Sequence, residues 1–320
     1  LITLALYWRL SHTWQNYLLL CASYIFYGTW DWRFVFLMLM TTLIDYFCSL
    51  KIEHARTQQQ KKTFLIISIS SNLLVLGFFK YFNFFINSFT DFLNLFHVTI
   101  PAPALHIILP VGLSFYVFQS IGYTVDVYRG VVKPPHHFTD FALFVSFFPQ
   151  LVSGPIERAK HLLAQILNPR IFSTETCKQG LFLICVGLFQ KIYIADNLAG
   201  IVNQLFERSG SLNTLEVLMA MYAFAFQIYC DFAGYSNIAR GIANLLGFNL
   251  MINFNLPYFS KNPTEFWQRW HISLSTWLKD YLYIPLGGNR YGLTLTMRNL
   301  MITMFLGGLW HGAAWNFVIW

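Results

Sequence analysis

The sequence predicts an all-α fold in which a bundle of helices crosses a lipid bilayer several times. Of the 320 residues, 56% are hydrophobic and only 11% are charged, against about 25% charged residues in an ordinary soluble domain. Several apolar runs approach the roughly 20 residues that a helix needs to cross the hydrocarbon core. These runs are too long and too continuous for barrel strands, the other structure whose backbone is satisfied in lipid.

The apolar runs in the N-terminal half are separated by short polar or basic segments. They cover residues 1–8, 17–27, 34–50, 64–79 with an aromatic extension to 96, and 107–127. Polar residues around Asp31 interrupt the helical pattern after the second run. The basic segment 51–62 predicts a cytoplasmic loop, because Lys and Arg concentrate on that side of a membrane. The uncharged segment 98–105, which holds Pro101 and Pro103, predicts a turn on the opposite side.

The C-terminal half continues the same organisation, with one irregular segment. Its apolar runs cover residues 138–152, 180–206, 215–233, 235–250 and 293–310. Pro149, Gly154 and Pro155 break the pattern in segment 147–158, which predicts a re-entrant or interfacial element, because irregular backbone at membrane depth must be shielded from lipid. A second cytoplasmic loop is predicted before this segment, from Arg129 and Lys133 with Pro134 and Pro135. A further cytoplasmic stretch is predicted after it, from Arg158, Lys160, Arg170 and Lys178.

Charge, cysteine content and chain ends set further expectations. The net charge of +7 lies in short loops between apolar runs, which indicates topology signals and no nucleic-acid partner. The five cysteines are scattered without a CxxC pair, which predicts free thiols. The sequence starts without methionine and stops inside an apolar stretch. We therefore expect one transmembrane domain over residues 1–320, lacking its N-terminal start and its C-terminal helices.

Ionisable residues inside the runs favour either structural ion pairs or a polar channel. A charge near the bilayer centre costs at least about 2.5–3.5 kcal/mol on insertion scales. Five such residues must therefore face the bundle interior, a water-filled cavity or the headgroups, namely Lys191, Asp196, Asp126, Asp231 and Arg240. Asp126 and Arg129 are three residues apart, which predicts a pair across one helical turn.

The segment from Pro263 to Arg290 carries the densest aromatic pattern. Large apolar residues recur there at three- and four-residue steps, namely Trp267, Trp270, Leu274, Trp277, Leu278, Tyr281 and Leu282. The spacing predicts a single helix that starts near Pro263, ends at Pro285 and carries His271 on its aromatic face. A second histidine, His311, follows in the apolar sequence Leu-Trp-His-Gly.

Two imidazoles in apolar surroundings are the candidate catalytic residues. A single histidine on an apolar face is more often a satisfied core residue, but each of these follows a tryptophan, and small residues follow His311. Imidazole titrates near neutral pH and can move a proton during chemistry. The surrounding candidates for a substrate tunnel are Trp267, Trp270, Trp310, Gly312, Ser273 and Asp231. No HExxH or GxSxG pattern occurs, so neither a metal site nor serine hydrolase chemistry is predicted.

The motifs resemble those of the membrane-bound O-acyltransferases, in particular the bacterial branch that includes alginate O-acetyltransferase and teichoic acid D-alanyl transferase. Phe266–Arg290 is similar to the first signature of this branch, and Gly307–Trp315 is similar to its second. Two further segments, Phe147–Arg158 and Asp231–Ser236, also resemble family segments. The likeness extends over essentially the whole chain.

The resemblance implies a bundle of helices around a central tunnel, with re-entrant or interfacial helices and an active site at mid-membrane. It implies that His311 is the essential catalytic histidine. His271 matches a position held by histidine in this branch and by asparagine in others. The donor implied is an acyl thioester, either acetyl-CoA or an acyl carrier, arriving from the cytoplasm without any bound cofactor. The acceptor is a hydroxyl approaching from outside.

Three functions follow as hypotheses. The first is transfer of an acyl group, expected to be acetyl, to an exported polysaccharide such as alginate, directly or through an acyl-accepting partner protein, in the inner membrane of a bacterium. The second is D-alanyl transfer to teichoic acid from a carrier protein. The third, from a different class, is a transporter or channel using the intramembrane charges, although no inverted repeat supports it.

Overall fold

The chain folds into helices joined by short connections. The structure is a computed structural model and describes residues 2–98, 107–208, 210 and 212–319. In these ranges it contains no strand. The α helices are α1 (Ile2–Tyr7), α2 (His12–His54), α3 (Gln58–Asn94), α4 (Leu113–Tyr128), α5 (Phe138–Ser146), α6 (Phe148–Leu151), α7 (Ala159–Leu167), α8 (Thr174–Leu188), α9 (Asp196–Glu207), α10 (Thr214–Leu245), α11 (Pro263–Arg269), α12 (Ile272–Leu278), α13 (Leu293–His311) and α14 (Trp315–Ile319).

Four helical stretches among the described residues are long and apolar enough to cross a membrane. They are α2, α3, α10 and the continuous helix Thr174–Glu207, in which a π-helical segment (Phe189–Ala195) joins α8 to α9. The predicted all-α, multi-pass class is confirmed. The predicted outside turn at Pro101 and Pro103 lies outside the described residues.

The helix boundaries in the N-terminal half follow local capping. The predicted interruption near Asp31 is confirmed, since its φ of −160° and ψ of 112° break α2 there. The predicted loop 51–62 is wrong in extent. Helix α2 continues to His54, and α3 begins at Gln58, where Thr57 and Gln60 form a reciprocal capping box that satisfies free backbone N–H groups.

The predicted pair of helices 215–233 and 235–250 is one helix, α10. Gly234, which separates the two predicted runs, lies inside this helix. The structure gives this glycine a packing role, since it faces Gly187 of α8 at backbone distance. The predicted break around Pro149 is confirmed, because α5 ends at Ser146 and Phe147 leaves the helical conformation; its depth in the membrane stays a prediction.

The chain forms two compact units. The first comprises Leu1–Ser23, Phe147–Glu157 and His161–Ser273, and the second comprises Tyr24–Ser146, Arg158–Lys160 and Leu274–Trp320. The sequence predicts a single transmembrane domain over residues 1–320, and this stays a prediction.

The first unit is organised by close packing of α8 against α10. A Cβ added at Gly180 would lie 2.8 Å from the carbonyl oxygen of Gly241, and one added at Gly187 would lie 2.6 Å from that of Gly234. In the same unit, the buried Glu157 accepts hydrogen bonds from the backbone N–H of Met251 (2.5 Å) and pairs with His161 Nδ1 (2.7 Å). Small residues thus join α8 to α10, and one carboxylate joins the start of α7 to the loop at Met251.

The second unit contains a buried polar network between α2, α3 and α4. Asp45 is fully buried and accepts hydrogen bonds from Ser68 Oγ (2.6 Å) and Asn72 Nδ2 (2.8 Å). Ser68 Oγ also lies 3.0 Å from Thr124 Oγ1. A buried carboxylate is tolerated when hydrogen bonds replace its water, so this network links the three helices in one register.

Candidate active site

The aromatic segment with His271 is not one helix, which corrects the prediction for residues 263–285. Helix α11 ends at Arg269 and α12 begins at Ile272. Between them, Trp270 is extended and His271 has a left-handed φ of +43°. The preceding loop imposes the break, since Asn255 N–H donates to the carbonyl of Arg269 and Ile272 N–H donates to the carbonyl of Asn253, both at 2.9 Å.

This break sets the direction of the His271 side chain. Left-handed backbone is uncommon for residues other than glycine, and histidine is among the side chains that tolerate it better than most. The imidazole is 2% exposed. Its ring lies 4.6 Å from that of Phe232 of α10 in an edge-on arrangement and 6.3 Å from the nearly parallel ring of Phe254. The imidazole is thus held between two aromatic rings.

A buried chain of polar side chains runs beside His271. Asn253 Oδ1 accepts hydrogen bonds from the N–H of Ser273 (3.3 Å) and from its Oγ (3.0 Å). Asn253 Nδ2 donates to Ser236 Oγ (3.2 Å), and all three residues are buried. Ser273, a predicted tunnel residue, therefore helps to fix the start of α12.

The predicted tunnel tryptophans of the first unit lie in an aromatic cluster. Trp270 packs nearly parallel to Phe266 (5.6 Å) and contacts Phe254 (5.1 Å) and Tyr258 (6.0 Å). Trp267 contacts Phe266 edge-on. The tryptophans support the His271 turn through packing, and their place along a tunnel stays a prediction.

Asp231 belongs to an ion-paired triad. Lys191 Nζ lies 2.6 Å from carboxylate oxygens of both Asp231 and Asp196. Lys191 lies in the π-helical segment Phe189–Ala195, and π segments often occur at functional positions. The structure contains the ion pairs, and the polar channel stays a hypothesis.

His311 occupies the C-terminal end of α13 in the second unit. The last carbonyls of a helix have no partner within it. Two side chains of α3 supply partners here, because the Lys80 ammonium donates to the carbonyl of Trp310 and the Tyr81 hydroxyl donates to that of Leu309. Lys80 also donates to Ser114 Oγ (3.2 Å). The end of α13 that bears the exposed His311 is thus fixed to α3.

A cavity of about 400 Å³ lies beside this helix end, within the second unit. Its walls are mostly apolar and come from α3, α4, α12, α13 and the π-helical segment Lys279–Tyr283. Trp310, the neighbour of His311, forms part of the lining, as do Trp277 and Tyr281. The volume is within the range of small-molecule sites.

Two guanidinium groups lie against Tyr281, one of the cavity residues. Arg158 lies 4.5 Å and Arg129 5.5 Å from its ring centroid. Arg158 pairs with the Asp280 carboxylate (3.0 Å), and Arg129 donates to the Asp280 carbonyl. The predicted pairing of Asp126 with Arg129 is wrong, because the Asp126 carboxylate instead accepts from the Tyr281 hydroxyl (2.8 Å).

Gly312 has a packing role that differs from the one expected. The small residues after His311 were expected to admit substrate close to the backbone. A Cβ at Gly312 would lie 2.2 Å from the ring of Phe317 of α14. In this structure the ring of Phe317 therefore occupies the space beside the glycine.

The predicted site residues divide between the two units. Asp231, Trp267, Trp270, His271 and Ser273 belong to the first unit, and Trp310, His311 and Gly312 to the second. The meeting of the two histidines in one tunnel stays a prediction. Sequence reasoning missed Asn253, Lys80 and Tyr81. Lys80 carried a usable signal, since a lysine at the end of an apolar run needs a partner.

The chain matches the model of the membrane-bound O-acyltransferase family over residues 18–320. A "Probable alginate O-acetylase" of Azotobacter vinelandii is 45% identical over 99% of this chain and 63% of its own length. A "Peptidoglycan O-acetyltransferase" of Helicobacter pylori is 38% identical over 94% of this chain and 61% of its own length. A "Teichoic acid D-alanyltransferase" of Streptococcus thermophilus is 31% identical over 65% of this chain and 53% of its own length.

The chain spans about three-fifths of the length of the first two of these curated relatives. The family match covers nearly all of the chain, including both histidine motifs. With its apolar spanning helices, the chain is a multi-pass membrane protein and belongs to the membrane-bound O-acyltransferase family.

Proposed function

We propose that the protein transfers an acetyl group from a thioester donor on the cytoplasmic side to hydroxyls of an exported polysaccharide, in the inner membrane of a bacterium. The names of the alginate and peptidoglycan relatives support this acceptor class. The acetyl group reaches the polymer directly or through an acyl-accepting protein on the outer side. The donor is acetyl-CoA or an acylated carrier.

The observation that carries the proposal is the cavity of the second unit. Trp310, adjacent to His311, lines it, and so does Tyr281, against which Arg158 and Arg129 lie. An apolar cavity excludes water that would hydrolyse a thioester. Guanidinium groups suit the phosphate of a pantetheine-type donor, since Arg forms two parallel hydrogen bonds to such oxygens.

The proposed chemistry assigns the proton to His311. The acceptor hydroxyl oxygen attacks the thioester carbonyl carbon while the neutral imidazole removes the hydroxyl proton. The tetrahedral intermediate then collapses, the C–S bond breaks, and the imidazolium returns the proton to the departing sulfur. General-base assistance of this kind contributes about 10²–10⁴-fold. His271 is the second proposed catalytic residue, which orients His311, binds the acceptor, or donates to the developing oxyanion.

The test is acyl transfer by membranes that contain a His311→Ala variant of the full-length protein. Labelled acetyl thioester and polysaccharide are supplied, and ester-linked label on the polymer is measured. We expect activity to fall by at least about 10²-fold, while insertion and thermal stability are unchanged. His137→Ala, in an exposed loop, is the matched control with normal activity. Normal transfer by the His311→Ala protein would contradict the role of this residue.

The relation to the teichoic acid D-alanyltransferase supports one rival substrate pair. Parallel assays with a D-alanyl carrier protein and teichoic acid distinguish it, because the preferred donor and acceptor define the activity. The transporter hypothesis has no support from the family match. It predicts solute flux in proteoliposomes without any ester product, whereas we expect ester formation.

A further inference from the structure

A second cavity lies in the first unit, where the beginning of α8 faces the end of α10. It is an open groove of about 440 Å³, and none of the candidate active-site residues lines it. Its lining changes from charged to apolar along α8. The lining residues are Glu175, Lys178, Gln179, Phe182, Leu183 and Arg240.

The contacts between glycines of α8 and α10 place Lys178 and Arg240 at the same height along this helix pair. Gly180 faces Gly241 and Gly187 faces Gly234, so α8 and α10 run antiparallel. Lys178 and Arg240 are within two residues of the Gly180–Gly241 contact, near the ends of two candidate spans. The groove therefore lies at a membrane boundary, and the predicted cytoplasmic stretch that ends at Lys178 assigns it to the cytoplasmic leaflet.

The guanidinium of Arg240 has an unused donor. Its Nε atom is buried and has no hydrogen-bond partner among the described residues, where Arg240 also forms no ion pair. Buried donors are normally satisfied, so this guanidinium is not fully paired within the described residues. Arg240 lines the groove, so its guanidinium contributes positive charge toward an anion bound there.

The acidic residue of the groove leaves this acceptor site available. Glu175 lies in the first turn of α8, where a carboxylate is favoured by the helix dipole. One of its oxygens accepts from Gln179 Nε2 in the same helix (3.4 Å). The groove lining therefore presents two cations against one carboxylate. The Glu157 carboxylate also acts electrostatically on Arg240, but its oxygens are bonded to Met251 N–H and to His161. Phe182 extends from it as a largely exposed aromatic side chain.

We propose that this groove binds an anionic phospholipid of the cytoplasmic leaflet. Arg240 and Lys178 would contact the phosphate, and an acyl chain would lie along Phe182 and Leu183. Basic pockets between membrane helices recognise anionic headgroups in this way, and the cytoplasmic leaflet is rich in such lipids. The adjoining apolar side chains favour a lipid over a soluble phosphate, because they provide a surface that only an acyl chain would cover.

The test measures lipid retention on the purified full-length protein by native mass spectrometry. Phosphatidylglycerol, phosphatidylcholine and soluble glycerol 3-phosphate are titrated in separate arms. We expect preferential retention of phosphatidylglycerol. Lys178→Gln and Arg240→Gln should each weaken its binding about fivefold. Lys62→Gln removes the same charge from an exposed position at the start of α3 and should leave binding unchanged.

Specific outcomes would overturn the assignment. Equal retention of phosphatidylcholine would exclude headgroup recognition, and equal losses in the Lys62→Gln protein would indicate a general charge effect. Binding of glycerol 3-phosphate as tightly as the lipid would assign the groove to a soluble phosphate. Lys178 is exposed, so its variant keeps the proposal testable if Arg240→Gln fails to fold.

Discussion

Gly187 of α8 and Gly234 of α10 face each other at backbone contact. A Cβ built on either residue would lie 2.6–2.8 Å from the carbonyl oxygen of the other. Such an approach is possible only between glycines, and small residues of this kind are typical of contacts between membrane helices. The same relation recurs seven residues away in each helix, between Gly180 and Gly241.

Adding a methyl group at this contact should destabilise the protein. We expect Gly187→Ala to cost about 1–3 kcal/mol through overpacking against rigid backbone. The measurement is the midpoint of thermal unfolding in detergent. Gly200→Ala, in a helix position with open space around its Cβ, is the control and should be neutral or stabilising by up to about 1 kcal/mol. Equal midpoints for the wild type and Gly187→Ala would contradict this packing.

Removing the ammonium of Lys80 should loosen the end of α13. Lys80→Met leaves the Trp310 carbonyl without its donor, which we expect to cost about 1–2 kcal/mol. Acyl transfer should fall more than the loss of stability explains, because His311 follows directly. Thermal midpoint and transfer rate are both measured, with Lys62→Met as the control in the same helix. Unchanged transfer in a stable Lys80→Met protein would argue against the positioning of His311 by α3.

Two substitutions at His271 test the contribution of its left-handed backbone and the role of its imidazole. His271→Gly relieves the roughly 1–2 kcal/mol cost of this conformation, but it leaves a cavity beside Phe232 and Phe254 that costs about 2–5 kcal/mol. We therefore expect a modestly lower thermal midpoint in a protein that still folds, together with the loss of most transfer activity. His271→Asn tolerates the backbone and retains hydrogen-bonding atoms. Activity in the asparagine variant alone would assign His271 a hydrogen-bonding role and exclude proton transfer. Full activity in the glycine variant would remove His271 from the site.

The pair of Glu157 and His161 should make stability depend on pH. The hydrogen bond that the Glu157 carboxylate accepts from His161 is the main cause that raises the pKa of His161 above its ordinary value of 6.5. Partial burial of the imidazole lowers this pKa but does not cancel the rise. Because the folded-state pKa is raised, the pair contributes fully below pH 6.5, and the contribution is lost as pH rises through the folded value. The thermal midpoint of the wild type should therefore exceed that of His161→Gln most at pH 5.5 and least at pH 8.5. A constant difference would exclude this linkage.

Composition and periodicity predicted the helices well, but not where each one breaks. The interruption at Asp31 and the break near Pro149 are encoded locally, by polar residues and proline, so both were predicted. The break at His271 has no such signal. It arises from backbone hydrogen bonds to Asn253 and Asn255, which lie 18 and 16 residues earlier. No helical period describes their approach.

The sequence predicted the motifs of the candidate site but not the residues that position them. The two histidines and their neighbouring tryptophans came from the sequence, whereas Asn253, Lys80 and Tyr81 came from tertiary contacts. Gly234 and Gly312 show the limit most directly. The sequence separated two apolar runs at Gly234 and predicted room for substrate at Gly312, but in the structure each glycine is explained by one close neighbour.

The attachment of α3 to the end of α13 joins two parts of the chain that are 230 residues apart. Any rotation or sliding of α3 is transmitted to His311 through the carbonyls of Leu309 and Trp310. A spectroscopic probe at Phe78, an exposed position two residues before Lys80, would therefore report displacement of the histidine during turnover without any label inside the cavity.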